Sequence, residues 1–579
     1  MRKRGISANI QLCYHRARSR EPIPERPAYG RVAHQALQGE PLKQVLFLCL
    51  ILTVWTGLYL PNLGVPAFSG MEGLRYSVAK EMLVHRDWLH LYFNGDPYFN
   101  KPPLTMWLIA PMIARVDEID EFSARLPFAL SMLVMAIVTF TVAARWLSHG
   151  RAMIVALLPL TTIGALRFGR ACEIDGLFAV FFVVAVVLWS DIWLSQARRP
   201  ISSLLLGLTI GLGGLCKGPL ILALIGLFCG LVALHGRDWR RLPLAALGLG
   251  IAIPFVWVVA LYAGGLGQTA MATWSHEMAM RFDPHVVPAS EPPWLVQVIW
   301  AFTLTLPWSL LYPLLYLPRL LQQDRVIGAL VRGGRDAGSL SFLAIIFWPG
   351  LQYQYFVPIG LLMALEIAIV IVTLPAGAGA QLARGLRLVT IALTLFLAVA
   401  SLAVAGFTDN PGAGIAGVAG LLISLTLMRT PPRRANAVAE ARRALVGMIG
   451  VTAIAVLVVI PPLNGVAQDR DIGIRLRTMV PAGEKVYCPF SIDNLATYIE
   501  RPVLIYVPEQ RQDHLYAILR EADVVHLRGS TTLSVEDLLP FRYLSGWKRE
   551  PEALHLVRLT TRDIGQFVKP SDLIGHLQS

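Results

Sequence analysis

Residues 72–103 read Glu72-Gly73-Leu74-Arg75-Tyr76, then Lys80-Glu81-Met82-Leu83, Asp87-Trp88, and Asn94-Gly95-Asp96-Pro97-Tyr98-Phe99-Asn100-Lys101-Pro102-Pro103. Charged and aromatic residues alternate here with no uninterrupted apolar run. Runs long enough to cross a hydrocarbon core of about 30 Å stand on either side, at roughly 44–61 and 125–145. The stretch therefore belongs to a long loop, 62–124, between two spans. Its one apolar piece, Pro103–Ala114, is short and flanked by proline, and reads as a helix lying in the membrane interface.

The whole chain has the same character. Of 579 residues 55% are hydrophobic and 15% charged, and the mean hydropathy is +0.56. A soluble domain carries about a quarter charged residues, so this composition excludes an ordinary soluble enzyme. Further spans follow near 151–168, 177–195, 201–216, 219–235, 243–263, 292–318, 339–350, 357–374, 386–406, 413–428 and 444–462, thirteen in all. The arm 1–43 carries nine Lys/Arg against three acids and is expected in the cytoplasm, retained and not a cleavable signal. Alternate loops then hold arginine clusters, such as Arg237, Arg240 and Arg241, or Arg429, Arg433 and Arg434. The outer turns after 350 and 406 hold no Lys or Arg. The net charge of +13 thus suits an anionic cytoplasmic leaflet, and no nucleic-acid partner is expected. The six cysteines show no CxxC or paired spacing, which gives no support to a disulfide framework or a cysteine metal site.

From 463 the composition changes. Residues 464–579 contain 14 Lys/Arg and 15 Asp/Glu. Lys485–Tyr487, Val503–Val507, Val524–Leu527 and Leu554–Leu559 read as strands, and Gln512–Arg520 as helix or turn. The fold expected is a polytopic α-helical membrane protein with a C-terminal soluble α/β domain, 463–579. An odd number of spans puts that domain outside, on the side of the first loop.

Improbable charge gathers on that same side. Besides the first loop there are Arg167-Phe168-Gly169-Arg170-Ala171-Cys172-Glu173-Ile174-Asp175, then Lys217, then Trp274-Ser275-His276-Glu277 with Arg281, then Tyr353-Gln354-Tyr355. Acids and bases from five outer loops point to one site, where carboxylates act as base or hold a cation and Arg/Lys grip phosphate. Interfacial snorkelling is the competing reading for each residue taken singly.

The first loop resembles that of the lipid-linked-sugar glycosyltransferases of the GT-C fold, in the branch containing aminoarabinose transferase and the bacterial protein-mannosyltransferase-like enzymes. Arg125-Leu126-Pro127 and Cys216-Lys217-Gly218-Pro219 resemble further signatures of that family. The resemblance implies transfer of a sugar from a polyprenyl-phosphate donor, of undecaprenyl type, to a lipid, glycan or protein acceptor at the periplasmic face of a bacterial inner membrane. Lipid A is the leading acceptor. It implies that Glu72 binds or deprotonates the acceptor or positions a cation, with Asp175 as second acid. Lys101 would hold the donor phosphate, and Arg75 would orient Glu72 or touch phosphate. Tyr76, Arg170, Lys217, His276, Glu277, Arg281, Tyr353 and Tyr355 are the remaining candidates for substrate binding. In aminoarabinose transferase the residue before the loop lysine is an acidic metal ligand. Here it is Asn100, and Met278 stands where its histidine partner falls. A divalent ion with Glu72, His276 and Glu277 as candidate ligands is left open as cofactor. No nucleotide cofactor is expected, and a monomer is. The alternative is a lipid-linked-sugar flippase, which should show midplane charges and a repeat between halves. The sequence has one midplane acid, Glu366, read as a buried hydrogen-bonded carboxyl, and no visible repeat.

Overall fold

The computed structural model describes residues 41–561 except 117, 196–198, 283–292, 318–324, 349–350, 375–379, 409–410, 430–436, 455–468, 490–491, 505–513, 529–532 and 544–551. The chain is a multi-pass helical membrane protein with a C-terminal α/β sheet region. Seven described helices are long and apolar enough to cross a membrane, or eight if the bent pair Trp294–Thr305 and Trp308–Tyr316 forms one span. Thirteen spans were expected from the sequence, and each expected segment does meet a helix. Several fall short of that length test because they are short or broken. The segment 151–168 is split into His149–Leu157 and Ile163–Phe168, and 292–318 turns by 87° at Leu306-Pro307, where proline has no N–H to continue the ladder.

One boundary needs correction. The expected span 339–350 is the end of a helix that begins at Arg325 and runs to Ile346. Arg332 and Arg335, which precede the expected span, lie within it. The helix is amphipathic: Arg335 stacks over the Tyr316 ring at 4.1 Å and pairs with Asp336, while Gly333 lets the opposite face approach the backbone of Val232. Glu366 also departs from expectation. It is fully buried opposite Gly334, and among the described residues neither of its oxygens has a hydrogen-bond partner.

The first loop is built by its own polar residues. Glu72–His85 forms a helix, and Tyr92–Phe93 (β1) pairs with Asp96–Pro97 (β2) through a two-residue turn. Asn94 and Gly95 both have positive φ, 54° and 83°, as a type I′ turn requires. The Glu81 carboxylate accepts the N–H groups of both, at 2.6 and 3.1 Å. The Asp87 carboxylate does the same for Leu89 and His90, each at 3.0 Å. The short helix Leu104–Ile113 then packs against both Glu72–His85 and the spanning helix Glu121–Ala143.

The C-terminal sheet has the order β4-β3-β5-β7-β6. Strands β3 (Val486–Tyr487), β4 (Val503–Leu504) and β5 (His514–Arg520) are parallel, and β6 (Leu533–Tyr543) and β7 (Glu552–Thr561) run antiparallel. Two sequence readings are reversed here. His514–Arg520 is the central strand, and its run of five buried residues has no alternation to mark it. Val524–Leu527 lies in the helix Glu521–Arg528, which has acids in its first turn and His526 and Arg528 in its last, matching the helix dipole.

This region docks on the first loop. Gly73 N donates to Asn494 Oδ1 at 3.1 Å, Asn494 Nδ2 to Gly70 O at 3.2 Å, and Lys80 pairs with Glu500 at 3.2 Å. Tyr498 accepts from Phe68 N at 2.7 Å and donates to Glu121 Oε1 at 2.6 Å, where Arg470 Nε also donates at 2.9 Å.

Candidate active site

Helix Glu72–His85 starts where Glu72 is gripped. Arg125, itself 3% exposed, donates from Nε to Oε1 and from Nη2 to Oε2, both at 2.7 Å. Cys172 N donates to Oε1 at 2.9 Å and Ser69 N to Oε2 at 3.0 Å. A carboxylate offers about four lone-pair sites, and all are taken. The orienting arginine is Arg125 and not Arg75.

Arg75 lies one turn further along the helix, 4% exposed. It donates through Nη1 to the Tyr98 hydroxyl, and its Nε has no partner among the described residues. No described carboxylate lies within ion-pair distance of it. A buried guanidinium left in that state is costly and is a ready anion receptor.

The 167–175 segment supplies the opposite wall. Asp175, at the start of helix Ile174–Ser195, pairs with Lys217, the last residue of Pro200–Lys217; both are nearly buried. Lys217 Nζ sits 4.3 Å from the centre of the Tyr355 ring, and Arg167 Nη2 donates to the Tyr353 hydroxyl at 2.9 Å. Glu173 accepts from Met71 N at 3.2 Å, across from Gly70, whose φ of 58° and lack of a side chain make room for it. Burial, with Asp175 and Glu72 nearby, pushes the Glu173 carboxyl up to about 7. The helix Gly267–Phe282 closes the rim: Trp274 Nε1 donates to Phe99 O at 2.7 Å, and Asn100 Nδ2 to Glu277 Oε1 at 3.1 Å. Lys101 Nζ donates to Asn100 O at 3.0 Å on the same rim.

All five outer segments are therefore linked by direct contacts. Two candidates serve other ends. Tyr76, 3% exposed, packs its ring on Phe68 at 5.2 Å and belongs to the core. Arg170 spends its guanidinium on the carbonyls of Leu58 and Pro61, at 2.9 and 2.6 Å, and so staples the end of the first spanning helix. His276 is exposed beside Glu277, while Arg281 has its backbone in the helix but its side chain outside the described residues. The metal set does not fit this arrangement. Glu72 has no free lone pair, and no three His, Cys, Asp or Glu side chains come together among the described residues.

Sequence reasoning passed over Glu173 and Gln297. Glu173 stands two residues from Asp175 in a stretch quoted for other members, and Gln297 is a neutral amide inside an apolar segment. It is 4% exposed, and its Oε1 accepts from Tyr353 N at 3.0 Å.

Comparison with known proteins agrees with this picture. A family model described as dolichyl-phosphate-mannose-protein mannosyltransferase matches residues 100–262. The undecaprenyl phosphate-alpha-4-amino-4-deoxy-L-arabinose arabinosyl transferase of Edwardsiella ictaluri (strain 93-146) is 31% identical over 195 residues, 32% of this chain and 35% of the relative. The like-named transferase of Pseudomonas aeruginosa (strain LESB58) is 29% identical over 276 residues, 46% of this chain and 49% of the relative. The chain thus spans about half the length, or less, of these relatives. The crystal structure of ArnT from Cupriavidus metallidurans bound to undecaprenyl phosphate superposes with TM-score 0.66 at 18% identity, over 88% of this chain and 97% of that one. At that identity the likeness establishes the fold. Together with the first-loop signature, these matches make the chain similar, over part of its length, to the aminoarabinose transferases and the protein-mannosyltransferase model, and give it the fold of the ArnT structure.

Proposed function

We propose that the protein is an integral-membrane glycosyltransferase that moves a sugar from an undecaprenyl-phosphate-type donor to an envelope acceptor, with lipid A as the leading one. In this reading the site face and the C-terminal domain face the periplasm and the arginine-rich loops the cytoplasm, as the loop charge supports. The observation that carries the reading is Arg75, a buried guanidinium whose Nε has no partner and which makes no ion pair among the described residues. A donor phosphate supplies the missing anion.

In the reaction the acceptor oxygen attacks C1 of the sugar, and the C1–O bond to the lipid phosphate breaks. The bond pair stays with the phosphate oxygen, so negative charge builds on the leaving polyprenyl phosphate. Arg75 and Lys217 are fixed cations that need no reorganisation to meet it, and such groups lower the barrier most. Lys101, on the rim, meets the incoming phosphate. Asp175 keeps Lys217 in place. Glu72, with every lone pair filled, acts as a positioning residue: it ties the start of the Arg75 helix to Arg125 and to the Cys172 backbone.

The test is reconstitution in liposomes with undecaprenyl-phosphate-linked sugar, reading undecaprenyl phosphate released. Wild type releases it, and Arg75→Gln and Lys217→Met each lose at least about a hundredfold, the scale of removing one fixed donor at a developing anion. Release by Arg75→Gln at the wild-type rate would sink the assignment of the phosphate site.

A further inference from the structure

Next to the cationic end of the site the loops form an open pocket of about 170 Å³, with Glu173, Gln297, Gln352, Tyr353, Gln354 and Phe168 in its wall. This is room for several waters, or for one sugar ring. Its chemistry differs from that of its neighbour. Arg75 and Lys217 present fixed positive charge, whereas the cavity wall is mostly neutral amide with a single carboxylate.

The internal hydrogen bonds show what the wall leaves over. Gln297 uses its Oε1 on Tyr353 N, which leaves its Nε2 hydrogens unclaimed among the described residues. Gln354 Nε2 donates to Gln352 Oε1 at 2.8 Å, so this pair still offers one amide nitrogen and one amide oxygen. Glu173 uses Oε1 on Met71 N and keeps Oε2. The wall thus presents donors and acceptors together, beside the rings of Tyr353 and Phe168, over which the Arg167 guanidinium lies at 5.2 and 5.5 Å. A phosphate would meet the Glu173 carboxylate here, and the nearby Arg167 guanidinium is already engaged with the Tyr353 hydroxyl and ring. A sugar ring finds both kinds of partner for hydroxyls that each donate and accept.

We propose that this cavity is the sugar subsite, taking a hydroxyl-rich glycosyl ring on Gln297, Gln352, Gln354 and Glu173 beside the donor phosphate on Arg75 and Lys217. The assignment rests on the transferase reading above. The ring is either that of the donor or that of a sugar acceptor, and the experiment separates the two.

The variant is Gln352→Ala combined with Gln354→Ala, full length, in nanodiscs. The probes are undecaprenyl phosphate with and without 4-amino-4-deoxy-L-arabinose, followed by KM for lipid A. If the donor ring sits in the cavity, the preference for the sugar-bearing lipid over the bare one falls about tenfold. Binding of bare undecaprenyl phosphate stays unchanged and reports that the variant is folded. If instead that preference survives and KM for lipid A rises about tenfold, the ring is the acceptor's. If neither moves in a preparation that still transfers sugar, the subsite assignment is overturned with the transferase reading intact. A wild type that releases no undecaprenyl phosphate from any donor removes the reading beneath it instead.

Discussion

Arg125→Met removes the group on which the first loop is hung. In the structure this guanidinium makes two hydrogen bonds to Glu72 and three to the carbonyls of Leu63, Pro66 and Ala67, at 2.9, 2.8 and 3.0 Å. Glu72 is 1% exposed, so its carboxylate has no water to fall back on. Breaking a buried pair by deleting one partner costs about 3–5 kcal/mol, because the other charge stays buried and alone. The three orphaned carbonyls add to this, though not additively. Stability should therefore fall by at least about 3 kcal/mol in equilibrium unfolding from mixed micelles. The second arm is Arg125→Met with Glu72→Gln. Removing both charges avoids the stranded carboxylate, so the double variant should be more stable than Arg125→Met alone. An Arg125→Met protein within about 1 kcal/mol of wild type, or a double variant no better than the single one, would refute the claim that the Glu72–Arg125 pair holds the loop.

Other expectations are as specific. Glu173 has a folded-state carboxyl near 7, above its ordinary value of 4.5, so folding disfavours its ionised form. Wild type should lose stability relative to Glu173→Gln as pH rises from about 4.5 to 7, keep that deficit above 7 and show none below 4.5; melting temperatures at pH 4 and 8 measure it. Tyr498→Phe strands Phe68 N and one bond to Glu121, which should weaken docking of the C-terminal region by about 1–3 kcal/mol and speed its release by limited proteolysis. Gly73→Ala places a methyl group against Asn494 Oδ1, at 2.9 Å, and against the Thr497 hydroxyl, so it should loosen the same interface and lower transfer. Gly95→Val puts a β-branched side chain at a φ of 83° and should cost at least about 1 kcal/mol with a fall in activity, checked against Gly95→Asn, which tolerates that region better.

What the sequence made legible was set by the cost of charge near a membrane. Lys217, Asp175, Arg167 and the 72–101 loop stand out because each is improbable beside an apolar span, and they do meet in one place. Apolar periodicity and loop charge likewise located the helices. Amides carry no such signal: Gln297, Gln352 and Gln354 acquire meaning only when folding puts them around a common space. Arg125 was visible as part of a motif, but its partner was not, since nothing in the chain says which of several acids a buried arginine will hold. Tyr76 looked like a ligand contact because it adjoins Arg75, and helix geometry turned it inward. The docking of Asn494 and Tyr498 on the first loop joins residues some four hundred positions apart, beyond any local pattern. In the C-terminal region a central strand without alternation and a short helix rich in valine were exchanged for the same reason, because local composition was all there was to read.

Transferase and carrier are separated by mass spectrometry of lipids recovered from sealed proteoliposomes holding the purified protein, undecaprenyl-phosphate-linked 4-amino-4-deoxy-L-arabinose and lipid A. The prediction is free undecaprenyl phosphate and sugar-bearing lipid A appearing together, one for one, with neither formed by Arg75→Gln. Donor lipid that crosses the bilayer with its sugar still attached, and no free undecaprenyl phosphate, would contradict the account and mark the protein as a carrier of lipid-linked sugar.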